Sequence, residues 1–482
     1  MKTEQPGLFP KTPTGIDGLD EITFGGIPKG RPTLICGSAG CGKSLFGLQF
    51  LERGITRYNE PGVLISFEES KKDIAQNVQS LGINTEELIA SNKLRIDYVR
   101  VDRAEIEETG EYDLEGIFIR LNYAIESIGA KRVVLDTIES LFGGIENTAI
   151  LRAEIRRLFQ WIKDKGITAI VTGERGEKTL TRQGLEEYVS DCVILLDFRV
   201  VNQIATRRLR IVKYRGSTHG TNEYPFLIDE QGISVLPITS LKLNHTVSTE
   251  IVSTGIPALD KHFQKGGIPR GSSLLLTGSA GTAKTILASF FAASSCQRGE
   301  ATLYFSFEES ADQLVRNMKS VGLDLMPFVK SGKLLIHSSR PSLQGLELHL
   351  LMLHKLIDQH NPRTVIIDPI SSLLNVGIIS EVSDMLVRLI DTLKIKGINA
   401  FFTSLTHLTG GVEKDRTVDA VSSLADVWIR VENEMQDKHR LRGLQIIKVR
   451  GMGHPIDLQK FKITDHGVQF VGRKKKSASR KR

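Results

Sequence analysis

Short apolar runs recur along the first half of the chain: Pro-Thr-Leu-Ile-Cys at 32–36, Val-Leu-Ile-Ser-Phe at 63–67 and Val-Val-Leu-Asp at 133–136. Runs of this length, bounded by turn residues, predict buried strands, and the amphipathic segments between them, such as Leu-Phe-Gly-Leu-Gln-Phe-Leu-Glu-Arg-Gly at 45–54, predict helices. Strands alternating with helices at this spacing imply an α/β fold with mainly parallel sheets. The whole succession then starts again. Residues 14–44 match residues 254–285 position by position apart from one extra residue in the second copy, and Ser-Phe-Glu-Glu-Ser occurs at 66–70 and at 306–310. The apolar stretch 132–141 likewise has a counterpart at 364–373. A repeat this long is a duplicated domain, so two lobes are expected, 1–240 and 241–472, joined by a linker near 238–252.

Composition changes this picture little. A chain of 482 residues, 40% hydrophobic and 25% charged, exceeds one hydrophobic core and suits about two to four domains. No apolar run reaches the ~18 residues needed to span a bilayer, and the N-terminus lacks a signal-peptide core, so a cytoplasmic protein is expected. The four cysteines fall in no CxxC or metal-binding spacing and are expected to be reduced thiols. The net charge of +7 equals the seven basic residues of the tail 473–482, leaving a neutral body. The tail reads as a disordered, solvated segment, and the neutral body argues against nucleic acid as a partner.

The chemistry lies in the repeated motifs. Gly37-Ser38-Ala39-Gly40-Cys41-Gly42-Lys43-Ser44 fits GxxxxGK[ST], follows a strand and opens a helix. In such a loop consecutive main-chain N–H groups face phosphate oxygens, the lysine neutralises the outer phosphates and the hydroxyl ligates Mg2+. The second copy is Gly278-Ser279-Ala280-Gly281-Thr282-Ala283-Lys284-Thr285, with Ala283 where the first has Gly42. If that position requires positive φ, the methyl group costs on the order of 1 kcal/mol. ATP with Mg2+ is therefore expected in both lobes, at sites that need not behave alike. Asp136 and Asp368 end apolar strands, where an acid can hold the metal opposite the loop. The pairs Glu68-Glu69 and Glu308-Glu309 end the strand that follows the loop helix. Adjacent strand residues point to opposite sides, so one of each pair can face the γ-phosphate while the other supports metal or water. Glu68 and Glu308 are the expected bases, and Glu308 joins Ser44, Thr285, Asp136 and Asp368 as a metal candidate.

Together with TFGGIPKG, GSAGCGKS, SFEES, GLEEYVSD and KYRGSTHGTNEYPF and their second-half counterparts, the doubled lobe resembles the KaiC family of RecA-like ATPases and autokinases of the circadian clock, over residues 12–471. The resemblance implies two tandem RecA-like P-loop NTPase domains, stacked as a double-ring homohexamer with ATP between neighbouring subunits. It implies that Lys213 and Arg215, with Tyr214, Ser217 and His219, and in the second lobe Lys448 and Arg450, with Val449, Met452 and His454, contact a neighbour's nucleotide. Ser80 and Arg442 match further nucleotide contacts. Under a common offset of 235 residues, Glu187 and Tyr188 stand opposite Ser422 and Ser423. The resemblance makes these two serines sites of self-phosphorylation, with the first lobe restricted to hydrolysis. A KaiB-like partner for the first lobe follows from it. KaiA is not expected, because the last strand passes directly into the basic tail. Ser423 in place of threonine, Ala283, Pro369 and Asn375 depart from the family pattern and suggest a divergent member, working in timing or stress signalling. The competing expectation is a RecA-like DNA-dependent ATPase, against which the neutral body weighs.

Overall fold

The computed structural model describes residues 9–99, 115–141, 147–176, 181, 189–201, 204–237, 248–343, 345–406, 408–409, 412–413, 422–436 and 439–471. The chain divides into two compact units, Met1–Thr239 and Ser240–Arg482. The basic tail, most of the expected linker, and Glu187 with Tyr188 lie outside the described residues.

The first unit contains strands β1 (Pro32–Gly37), β2 (Gly62–Ser66), β3 (Leu94–Tyr98), β4 (Arg132–Asp136), β5 (Thr168–Glu174), β6 (Cys192–Val201), β7 (Ile204–Tyr214), β8 (Glu223–Asp229) and β9 (Gly232–Val235). They form one nine-stranded sheet in the order β9-β8-β7-β6-β1-β5-β4-β2-β3. The six strands from β6 to β3 run parallel, and β7, β8 and β9 extend the sheet in antiparallel fashion. The main helices are α1 (Lys43–Tyr58), α2 (Lys71–Gln79), α3 (Glu115–Ile128) and α4 (Thr148–Asp164). Both faces of the parallel strands are covered, which is why those strands read as unbroken apolar runs. Alternate residues serve opposite cores. Ile35, Leu64, Val134 and Ile170 pack with Phe46, Phe50 and Leu51 of α1. Val63, Ile65, Val133 and Val171 pack with Phe118 and Leu121 of α3 and Leu158 and Phe159 of α4. Phe46 and Phe50 are fully buried, and truncating either to alanine is expected to cost about 3–5 kcal/mol.

The second unit repeats the plan. Its sheet consists of β10 (Ser273–Gly278), β11 (Thr302–Ser306), β12 (Leu334–Ser338), β13 (Thr364–Asp368), β14 (Asn399–Leu405), β15 (Val427–Gln436), β16 (His439–Val449), β17 (Gln459–Thr464) and β18 (Gly467–Phe470). The order is β12-β11-β13-β14-β10-β15-β16-β17-β18, the same topology as the first sheet. Its helices are α5 (Lys284–Gln297), α6 (Ala311–Lys319), α7 (Leu346–His360) and α8 (Ile379–Ile395). Two tandem RecA-like α/β domains, each built on a mainly parallel sheet, are therefore present. Among the described residues no helix is long and apolar enough to cross a membrane.

Candidate active sites

In each lobe the phosphate loop leaves the carboxyl end of a central strand, β1 or β10, and runs into a helix, α1 or α5. Such a strand end with a helix N-terminus is where open parallel sheets take nucleotides. The chain reaches the helix through a left-handed residue, Gly42 at φ 105° in the first lobe and Ala283 at φ 81° in the second. The position does demand positive φ, so Ala283 carries backbone strain that Gly42 avoids. Each loop lysine folds over its own loop: Lys43 Nζ donates to the carbonyls of Gly37 (3.0 Å) and Ser38 (3.1 Å), and Lys284 Nζ to those of Gly278 (2.8 Å) and Ser279 (2.9 Å). Arriving phosphate oxygens would replace these contacts.

The two ends of the Ser-Phe-Glu-Glu-Ser motif build its turn. Ser66 Oγ accepts the Glu69 N–H (3.0 Å), and Ser70 Oγ accepts the Asp73 N–H (3.3 Å) as the N-cap of α2. Ser306 and Ser310 do the same in the second lobe, where Gln313 completes a capping box on α6. The glutamates between them diverge. Glu69 Oε2 accepts from Asn77 of α2 (3.0 Å) and Glu309 Oε2 from Asn317 of α6 (3.3 Å), so the second member of each pair is tied to its own helix. The first member reaches across to the neighbouring strand end. Glu68 Oε1 accepts from the hydroxyls of Thr137 (2.8 Å) and Ser140 (2.6 Å), just beyond β4. Glu308 Oε1 accepts from Ser372 (3.1 Å), and Pro369 occupies the place of Thr137 and brings no hydroxyl.

Asp136 and Asp368 end β4 and β13, level with Ser66 and Ser306 on the adjacent strands. The Thr172 hydroxyl donates to Asp136 Oδ1, and the Ser44 hydroxyl bonds to the same carboxylate. Burial pushes the Asp136 carboxyl above its ordinary value, against the hydroxyls of Thr172 and Ser44, and the Glu68 charge adds to the rise. Asp368 is buried, accepting from Thr403 at Oδ1 and from the Tyr304 phenol at Oδ2 (2.7 Å). Ser44 with Asp136 therefore suits Mg2+, which takes one or two protein ligands and completes its shell with phosphate oxygens and water, and Thr285 and Asp368 occupy the matching sequence positions in the second lobe. Among the described residues no cluster of three or more His, Cys, Asp or Glu side chains could hold a metal without a nucleotide.

The cation pairs lie at the other end of the sheet. Opposite the Val193–Ile194 step of β6 the strand β7 carries one extra residue, Val212, and opposite the Trp428–Ile429 step of β15 the strand β16 carries Ile447, so a β-bulge shifts the register beside Lys213 and beside Lys448. A bulge twists a strand and re-aims its side chains. Arg215 N–H donates to the Asp191 carbonyl (2.8 Å) and Arg450 N–H to the Asp426 carbonyl (2.8 Å), both just before the strand that flanks the loop strand at its foot. Lys448 Nζ donates to the carbonyls of Ser422 (2.9 Å) and Ser423 (3.4 Å), and Arg450 also reaches Ser423. Ser273 Oγ at the start of β10 lies 3.5 Å from the Leu424 carbonyl, whereas the loop begins at its end, about 16 Å further along at ~3.3 Å per residue.

The remaining nucleotide candidates separate. Arg442 Nε donates to Gly281 O (3.3 Å) in its own phosphate loop and so sits apart from Lys448 and Arg450. Tyr214 is buried with its hydroxyl on the Gly26 carbonyl (2.9 Å), and Val449 is buried too, leaving only their main chain for a ligand. Ser217 and His219 turn to the Thr218 and Gly220 carbonyls, His454 turns to that of Pro455, and Met452 packs on the second core. Ser80 is exposed at the C-terminal end of α2, a nine-residue helix away from the Glu68 turn. Cys41 is buried inside its loop, and burial pushes its thiol up.

A duplicated RecA-like ATPase is the class that this fold and these loops define. A family model described as the KaiC ATPase matches residues 12–240 and again 252–475. The chain is 55% identical to the circadian clock protein KaiC2 of Synechocystis sp., over 96% of its own length and 81% of that protein. It is 35% identical to the circadian clock oscillator protein KaiC of Prochlorococcus marinus (95% of this chain, 92% of that one) and 36% identical to that of Thermostichus vulcanus (95% and 89%). The chain belongs to the KaiC family.

Proposed function

We propose that this protein is a self-phosphorylating ATPase of a clock or timing system, in which the first lobe hydrolyses ATP and the second transfers its γ-phosphate to Ser422 or Ser423 of a neighbouring subunit. One observation carries the reading. Each lobe holds a phosphate loop with its glutamate at one end of the sheet, and a Lys-x-Arg pair toward the opposite end. One subunit cannot bring both ends to a single phosphate. Two copies set head to tail can, and such a heterologous contact closes into a ring, of six subunits in this reading. Lys213 with Arg215, and Lys448 with Arg450, then act on the neighbour's terminal phosphate as an arginine finger does.

In the second lobe the acceptor serine loses its proton to Glu308 of the donor subunit. The serine oxygen bonds the γ-phosphorus as the bond to ADP breaks. In the first lobe Glu68 handles water in the same way. Ser44 with Asp136, and Thr285 with Asp368, would hold Mg2+, which when bound would neutralise charge on the phosphates. A KaiB-like partner for the first lobe and a cytoplasmic setting belong to the same reading. Mass spectrometry after incubation with Mg2+ and ATP tests it: phosphate on Ser422 or Ser423 that disappears in Glu308→Gln is expected. Steady hydrolysis with no phosphate on either serine would reduce the protein to a paired ATPase. ATP turnover that requires DNA and weakens steeply with salt would favour the DNA-dependent alternative.

A further inference from the structure

Two positions behind the second phosphate loop differ in chemistry from their first-lobe counterparts, and they differ together. Leu48 of α1 and Leu64 of β2 are buried in the first core. In the second lobe the matching positions hold Ser289 of α5 and Tyr304 of β11. Tyr304 is fully buried and its hydroxyl lies 2.7 Å from Asp368 Oδ2. A carboxylate can only accept, so the phenol donates its proton there and its oxygen is left to accept from Ser289. Ser289 Oγ also lies 2.8 Å from the carbonyl of Thr285, so its single proton serves either that carbonyl or the Tyr304 oxygen. With Thr403 on Oδ1, both oxygens of Asp368 carry a neutral hydroxyl, and Tyr304 sets Asp368 against Ser289 of α5.

We propose that Tyr304 is a positioning residue of the second site, fixing Asp368 and, through Ser289, the first turn of α5 for the Mg2+ that accompanies the nucleotide. The first site has no such device: its Asp136 is held by Thr172 and by Ser44 itself. Hydrogen bonds to a metal-holding carboxylate typically matter 10–100-fold in metal affinity. The inference rests on the reading that both lobes take Mg2+ and ATP.

The test is a Mg2+ titration of the full chain with a fluorescent non-hydrolysable ATP analogue, in a Lys43→Ala background that silences the first site. Tyr304→Phe removes one oxygen atom, and the Mg2+ concentration for half-maximal binding should rise about tenfold. Binding in EDTA should not change, an outcome that general damage to the lobe would not give. Ser289→Ala should produce a smaller shift in the same direction. The pair Ser289→Leu with Tyr304→Leu, which installs the first lobe's own packing, should reproduce the tenfold shift even if Tyr304→Phe folds poorly. An unchanged Mg2+ midpoint in both the phenylalanine and the double-leucine variants would overturn the positioning role while leaving the proposed function standing. Failure of the second site to bind the analogue at any Mg2+ concentration would overturn both.

Discussion

The two lobes share a topology, a loop, a glutamate turn and a bulged cation strand, yet they differ at the residue that opens the loop helix, in what holds the first glutamate, and in what holds the strand-end aspartate. In the first lobe Glu68 is held by two hydroxyls, the loop turns through glycine, and the acid behind the metal site leans on the loop serine. In the second, Glu308 has Ser372 and a proline neighbour, the loop turns through strained Ala283, and Asp368 is clamped by a buried tyrosine. Two hydroxyl residues stand by the cations of the second lobe, and the matching positions in the first lobe's sequence are Glu187 and Tyr188. A glutamate pinned twice suits the repeated orientation of water. One pinned once has room to take up a bulkier protein hydroxyl. Duplication kept the machinery and varied its surroundings.

The largest expected effects separate the lobes outright. Glu68→Gln should lower steady ATP hydrolysis by about 10²–10⁴-fold and leave serine phosphorylation in place, and Glu308→Gln should do the reverse. Phosphate release and phosphopeptide mass spectrometry on the same samples read both quantities. If either variant lost both activities, the lobes would not be independent sites. Lys448→Ala should slow phosphorylation on the order of 10³-fold while nucleotide binding by the second lobe, read by fluorescence, stays near wild type. Weakened binding within an isolated subunit would instead place Lys448 at its own lobe's nucleotide.

Smaller effects sharpen the comparison. Ala283→Gly relaxes a residue at φ 81°, and nucleotide affinity of the second site should rise about fivefold, the equivalent of about 1 kcal/mol. Gly42→Ala should weaken the first site comparably or more, because a Cβ there would lie 2.9 Å from Ile228 Cδ1. Equal affinities before and after either change would remove the loop as a source of asymmetry. The smallest effect concerns pH. Burial raises the Asp136 carboxyl above its unfolded value, so the native lobe keeps this proton through a window where the unfolded chain has lost it. The stability it contributes is full below the unfolded pKa and is lost as pH rises through the folded one. Asp136→Asn should therefore raise the nucleotide-free melting temperature near neutral pH by a few degrees and flatten its decline between acid and neutral pH. An unchanged slope, measured by calorimetry, would place the pH dependence elsewhere.

Much of this arrangement could be read from the chain. The doubled phosphate loop and Asp136 and Asp368 at strand ends follow from spacing, and strand alternation sets the two glutamates of each pair apart without choosing between them. The structure puts Glu68 and Glu308 toward the neighbouring strand end and ties Glu69 and Glu309 to their helices. The ties were harder to see, because Asn77 and Asn317 lie eight residues downstream, a spacing that means contact only once a turn folds the helix back. The bulges beside Lys213 and Lys448 left no mark in periodicity, since one extra residue in an eleven-residue strand is lost among apolar neighbours. Tyr304 was hidden differently. A tyrosine in an apolar run reads as core, and only laying it beside Leu64, with Ser289 beside Leu48, shows that a polar pair has replaced an apolar one.

The direct test of shared sites is a mixture of two variants. A Ser422→Ala, Ser423→Ala chain has Glu308 but no acceptor, and a Glu308→Gln chain has acceptors but no base. Neither should be phosphorylated alone; after mixing and reassembly with Mg2+ and ATP, phosphate should appear on the Glu308→Gln chains alone, resolved by their mass. A mixture as silent as its components, beside a wild-type control that phosphorylates normally, would contradict transfer between neighbours.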